Sequence, residues 1–175
     1  MIGMDTIMNK KHIILQVFGI LLLFVCTIRA NAQQKPPIPI TVSFNPAEGL
    51  RFGAFFQSPS GGTVTINPNG SRVVTGGVVE ADFGYVYAPA TFEITANPGT
   101  LITIVNGPDV VLTGSSGGSM TLHIGSASLT SPFITTVSSP LTTSVKVGGT
   151  LTVGSPVANP SGNYTGSFLV TFMQN

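Results

Sequence analysis

Cysteine is nearly absent from this 175-residue sequence, Cys26 being the only one. It falls inside an amino-terminal stretch that reads as a leader, so neither a disulfide framework nor a thiolate nucleophile is available to the remainder. Charge is almost as scarce. Beyond residue 32 the basic residues are Lys35, Arg51, Arg72 and Lys146 and the acidic ones Glu48, Glu80, Asp82, Glu93 and Asp109, four against five, for a net charge of −1. Ordinary globular chains are about one quarter charged. Lacking a basic face to neutralise phosphates, the chain is not expected to bind nucleic acid, and the same scarcity excludes a polybasic membrane patch. Long apolar runs are missing too. The one candidate, 13–25, has 13 residues where a membrane-spanning helix needs about 20, so no stable transmembrane anchor is expected.

What that run does resemble is the centre of a secretory signal. Lys10 and Lys11 precede it, and Ala30-Asn31-Ala32 supplies small residues where a signal peptidase reads them. Residues 1–32 are therefore expected to be a cleaved signal peptide, and the protein to be exported to the periplasm, outer surface or medium. Cys26 is a poor lipidation site, because Val25 stands before it in place of a small residue. Residues 33–40, with Pro36, Pro37 and Pro39, form an expected extended tail. Residues 41–175 have the length of a single domain.

Helix is excluded by punctuation. Nineteen of the 21 glycines and all 13 prolines lie beyond residue 32, too closely spaced for a helical period to develop. Between them are short runs of Val, Ile, Thr and Phe with period-two alternation, the signature of strands. The expected strands are 38–44, 50–56, 63–66, 72–75, 78–81, 91–96, 101–105, 110–112, 120–124, 141–147, 150–153 and 164–172, with a Gly/Ser loop at 113–119. Spacing of this kind predicts an antiparallel sandwich or barrel. Asn67-Pro68-Asn69-Gly70 suits a compact hairpin loop. Alternation turns Val64 and Ile66, then Met120, Leu122 and Ile124, then Tyr164, Phe168, Val170 and Phe172, toward the core. The edges carry almost no lysine to discourage edge-to-edge pairing. Gly61-Gly62-Thr63-Val64-Thr65-Ile66 is echoed by Gly148-Gly149-Thr150-Leu151-Thr152-Val153, which reads as shared strand-entry chemistry and not as duplication.

Five stretches together resemble a bacterial secreted family catalogued as domain of unknown function 4402, itself similar to fimbrial and adhesin β-sandwich subunits. They are Gly49-Leu50-Arg51-Phe52-Gly53, Gly61 to Ile66 as above, Pro89-Ala90-Thr91-Phe92-Glu93-Ile94-Thr95, Gly148 to Gly154, and Pro160-Ser161-Gly162-Asn163-Tyr164-Thr165-Gly166-Ser167-Phe168. They run in family order across 49–172. The resemblance implies an immunoglobulin-like antiparallel β-sandwich, export, and a surface or pilus-associated role; it carries no catalytic residue.

Reactive side chains are few. His123 is the sole histidine beyond the leader and is expected to face solvent, without an acid placed to make a serine nucleophilic, so no enzyme is expected. Glu80 and Asp82 share one face of an extended segment, where paired carboxylates or calcium ligands compete with a plain solvated strand end. Neither a metal nor another cofactor is expected. Phe83-Gly84-Tyr85-Val86-Tyr87 concentrates three aromatics, either buried under a loop or stacking on a glycan or protein partner. Tyr164, Phe168, Val170 and Phe172 are anchors of a last strand that either closes its own sheet or adds to a neighbour's. The expected function is thus a structural or adhesive cell-surface component, a fimbria-like subunit being one form, with self-association or other surface subunits as partners. The alternative is a monomeric binding module acting through Phe83, Tyr85 and Tyr87.

Overall fold

The computed structural model describes residues 39–175; the expected signal peptide and residues 33–38 of the expected tail lie outside them. Alternating apolar and hydroxyl side chains between glycine and proline breakers give thirteen strands among the described residues. In chain order these are β1 (Thr41–Phe44), β2 (Arg51–Phe52), β3 (Ala54–Ile66), β4 (Arg72–Ala81), β5 (Tyr87–Ala88), β6 (Ala90–Thr95), β7 (Leu101–Asn106), β8 (Val110–Gly114), β9 (Ser119–Ala127), β10 (Phe133–Ile134), β11 (Thr143–Val153), β12 (Tyr164–Thr165) and β13 (Val170–Gln174). One 3₁₀ turn, Pro46–Glu48, is the only helical element among them.

Every pairing between named strands is antiparallel. A large sheet runs β1-β6-β11-β9-β8-β12, with β3 attached to β11 and β4 to β3; a small one runs β10-β7-β13; β2 and β5 form a ribbon. The sheets face each other. The Phe92 ring of β6 lies 5.3 Å from that of Phe172 on β13, and Asn106 at the end of β7 donates to the Gly125 carbonyl of β9 at 2.8 Å. Between them lie Val64, Ile94, Ile102, Val145 and Val147, all fully buried. Each such side chain contributes about 1.5–3 kcal/mol by leaving water. The described residues are therefore all-β, an antiparallel sandwich of immunoglobulin-like layering. Met120, Leu122 and Ile124 are buried while Thr121 and His123 are exposed, as period two requires.

Several expected runs fuse or divide. Run 63–66 and the end of 50–56, from Ala54, belong to the single strand β3, runs 72–75 and 78–81 to β4, and run 150–153 with 141–147 from Thr143 onward to β11. In each, a glycine pair that reads as a terminator is a corner within a continuing strand. The β3–β4 hairpin shifts register between Gln57 and Gly62, where Gly61 and Gly76 take φ of 62° and 66°. A Cβ on Gly62 would run into the Thr75 carbonyl oxygen. At Gly148 and Gly149, β11 changes neighbour on one side, from β6 (Val145 opposite Phe92) to β3 (Leu151 opposite Val64). The two echoing Gly-Gly-Thr segments are consequently sheet neighbours, Thr63 opposite Thr152 and Thr65 opposite Thr150.

The run 164–172 divides instead. Tyr164 and Thr165 pair with β8 in the large sheet and Val170 onward with β7 in the small one, so the chain crosses between layers at 166–169. Two strands, β5 and β10, go unanticipated because each is two residues long. Beside β10, buried Thr135 donates to the Asn97 carbonyl and accepts from the Thr100 amide. The expected loop 113–119 shortens to a tight connection, with β8 reaching Gly114 and β9 starting at Ser119.

Candidate functional site

The open end of the β3–β4 hairpin and the loop after β4 carry the most distinctive surface. Phe56 and Val79 are opposite each other in register and both project outward. Phe83 meets Phe56 edge-on, centroids 5.5 Å apart and planes at 83°, a favourable aromatic geometry. Phe83 is 62 % and Tyr85 67 % exposed, and Val86 and Tyr87 are exposed as well. Apolar side chains gathered this densely in water mark interaction surfaces on soluble domains.

The loop is shaped from its own residues. Asp82 accepts from the Gly84 amide at 3.3 Å, closing a short turn. The ribbon pairing of Phe52 with Tyr87 and Arg51 with Ala88 returns the chain to the sandwich. Beneath it lies Arg72, whose side chain is only 6 % exposed. Its Nη1 donates to the Phe52 and Ala54 carbonyls, 3.2 Å each, and its Nη2 lies 3.2 Å from Glu80 Oε2. Its guanidinium carbon sits 4.5 Å from the centre of the Tyr87 ring. The corner in the hairpin is what brings Arg72, near one end of β4, to Glu80 near the other. Gly53, at φ 69°, leaves room for this: a Cβ there would lie 2.7 Å from Nη1. Arg72 Nε is buried without a hydrogen-bond partner.

Phe83, Tyr85 and Tyr87 are thus brought together and exposed, and Phe56, Val79 and Val86 join them. Arg72 escaped the reading of the sequence, where it figured only as a charge. Glu80 and Asp82 are drawn to different tasks, one to Arg72 and one to Gly84. Among the described residues no group of three His, Cys, Asp or Glu side chains is placed to hold a metal ion.

One expectation is corrected. His123 does have an acid: its Nδ1 lies 2.6 Å from Asp109 Oδ1, both side chains being more than half exposed. The β8–β9 register, Val110 opposite Leu122, carries the alternation one step outward and sets Asp109 opposite His123. A carboxylate-held imidazole is two parts of a triad. The hydroxyl opposite His123 on β11, that of Thr150, is shared with Thr65 Oγ1 at 3.0 Å.

The last-strand residues divide as the crossing dictates. Tyr164 pairs opposite Gly114 and its hydroxyl donates to the Pro160 carbonyl at 2.7 Å. Val170 and Phe172 stand opposite Asn106 and Ile104. All four, Phe168 included, are half-buried against the core.

No helix among the described residues is long and apolar enough to cross a membrane. The model of a family described as a domain of unknown function (DUF4402) matches residues 41–173. No curated protein and no solved structure matches the chain.

Proposed function

The chain belongs to the DUF4402 family, and from that premise we propose that it is an exported, non-catalytic adhesive component of the bacterial cell surface, gripping its partner through the aromatic tip. The observation that carries this reading is the exposure of Phe83, Tyr85 and Tyr87 beside Phe56, on a loop backed by a buried arginine. Rigid aromatic surface in water is a liability unless something covers it, and it supplies contact area at low conformational cost. The scarcity of charge fits a contact made by stacking and apolar burial, which requires little ionic desolvation.

The test uses the exported protein on a glycan array and on immobilised extracellular proteins. Wild type is expected to be retained on at least one of these surfaces. Combined Phe83→Ala and Tyr85→Ala should reduce that retention tenfold or more, with the thermal midpoint within about 3 °C because both side chains are largely in water. Retention that survives the double substitution overturns the role of the tip. Protease shaving of intact cells tests the location: an epitope tag that stays protected in intact cells argues against display at the surface. A fimbria-like subunit would in addition form filaments visible by negative stain.

A further inference from the structure

Asparagine followed by glycine occurs twice in the sequence, at Asn69-Gly70 and at Asn106-Gly107. Glycine has no Cβ to shield its own nitrogen, so at such a pair the next peptide nitrogen can reach the carbon of the Asn carboxamide. The two glycine nitrogens are engaged alike: Gly70 donates to the Asn67 carbonyl at 2.9 Å and Gly107 to the Leu169 carbonyl at 2.8 Å. An N–H bond lies in the peptide plane, so hydrogen bonds of this kind leave both faces of the nitrogen open. What differs between the two pairs is the carboxamide and the room around it.

Asn106 is held by its nitrogen. Its Nδ2 donates to the Gly125 carbonyl at 2.8 Å and to the Ile124 carbonyl at 3.4 Å, both on β9, and a Cβ on Gly107 would lie 2.8 Å from the Leu169 carbonyl oxygen. Asn69 is held by its oxygen. Ser71 donates to Asn69 Oδ1 twice, from its amide at 2.9 Å and from its hydroxyl at 2.8 Å. The direction of the second bond is fixed, because Asn67 Nδ2, which can only donate, already gives a hydrogen bond to Ser71 Oγ at 2.9 Å. Two donors at such distances have the geometry of an oxyanion hole, and they stabilise the negative charge that develops on Oδ1 when the carboxamide carbon is attacked. The bond to the amide two residues on also folds the carboxamide back over the Gly70 peptide. Nothing lies within 4 Å of where a Gly70 Cβ would stand, so water and hydroxide have free access.

We propose that Asn69 is a site of self-catalysed modification and that Asn106 is not. Hydroxide takes the proton of the Gly70 nitrogen, which attacks Asn69 Cγ. The new N–Cγ bond forms, the Cγ–Nδ2 bond breaks, and Nδ2 leaves as ammonia, taking a proton back from water. Water then opens the cyclic imide at either of its carbonyls, leaving aspartate or isoaspartate at position 69. A neutral carboxamide has become a carboxylate, so the net charge beyond residue 32 goes from −1 to −2. The isoaspartyl product also lengthens the main chain by one methylene shortly before Arg72, the residue beneath the aromatic tip. The site contains no residue of the tip, and the proposal is independent of the adhesive reading.

The purified exported protein, incubated at mildly alkaline pH and followed by peptide mass spectrometry, should lose ammonia at Asn69 at least tenfold faster than at Asn106, and the product should separate by anion exchange. Unfolding in guanidinium chloride removes both environments and should bring the two rates close together. Ser71→Ala takes away the hydroxyl donor while keeping the amide. It should slow the reaction at Asn69 at least threefold in the folded protein and leave it unchanged in the unfolded one, whereas mere loosening of the loop would speed it. Ser71→Thr keeps the hydroxyl and should retain the wild-type rate. Equal rates at Asn69 and Asn106 in the folded protein, a Ser71→Ala rate at or above that of wild type, or a Ser71→Thr rate as low as that of Ser71→Ala would overturn the proposal.

Discussion

Replacing Arg72 by methionine keeps the apolar stem and removes a single buried cation. Two guanidinium–carbonyl hydrogen bonds are lost, to Phe52 and Ala54, each contributing about 1.5 kcal/mol when the donor is charged. The contact with the Tyr87 ring adds about 1 kcal/mol. Glu80 is 49 % exposed, so solvent screening holds its ion pair to under about 1 kcal/mol. Against these stands relief of the desolvation of a guanidinium whose Nε has no partner, which offsets a large part of the sum. The net expectation is a loss of about 2–3 kcal/mol, or about 6–10 °C in thermal midpoint for a domain of this size. Urea denaturation followed by far-ultraviolet dichroism measures it, the chain having no tryptophan. Hydrogen exchange at 82–88 should rise more than in the core, because the guanidinium supports that loop. Arg72→Lys should recover only part of the stability, a point charge being unable to fork between two carbonyls and stack on a ring. Glu80→Gln should cost under about 1 kcal/mol. If Arg72→Met were as stable as wild type, or Glu80→Gln as damaging as Arg72→Met, the claim that the guanidinium anchors the tip through backbone and ring would be refuted.

Two further outcomes follow from the geometry. Gly62→Ala places a Cβ against the Thr75 carbonyl at the hairpin corner and should lower stability by about 2 kcal/mol or more, read as a drop in urea midpoint; Gly70→Ala, where a Cβ meets nothing within 4 Å, should cost less, its φ of 87° being the only strain. Removing the surface pair by Asp109→Asn should change stability by less than about 1 kcal/mol, because both partners are more than half exposed; a larger change in the same titration would mean that the pair holds the β8–β9 hairpin.

Much of the fold is legible because its strands obey period two under strong selection by burial. Val64 with Ile66, and Met120 with Leu122 and Ile124, alternate against hydroxyl residues, and a slip of one residue would drown every core side chain. The glycine pairs mislead for a definite reason: locally, Gly61-Gly62, Gly76-Gly77 and Gly148-Gly149 look the same whether a strand ends or turns a corner. Only the facing strand tells the two apart. The aromatic residues of 83–87 stand out in sequence, but their exposure does not, since rings of the same spacing serve equally well beneath a loop. The His123–Asp109 pair was hidden until the β8–β9 register was known, 14 residues separating its members.

Local chemistry by itself determined that the described residues form antiparallel strands and no long helix, since backbone propensity, alternation and the density of breakers act within a few residues of each position. It likewise determined the scarcity of charge and thiols. Tertiary structure alone decided that Arg72 meets Glu80 and Tyr87 beneath the tip, that β11 divides its edge between β6 and β3, and that β9 takes hold of the Asn106 carboxamide. Those outcomes depend on which distant segments meet, and that choice rests on the burial of the whole core, which no short window of residues contains.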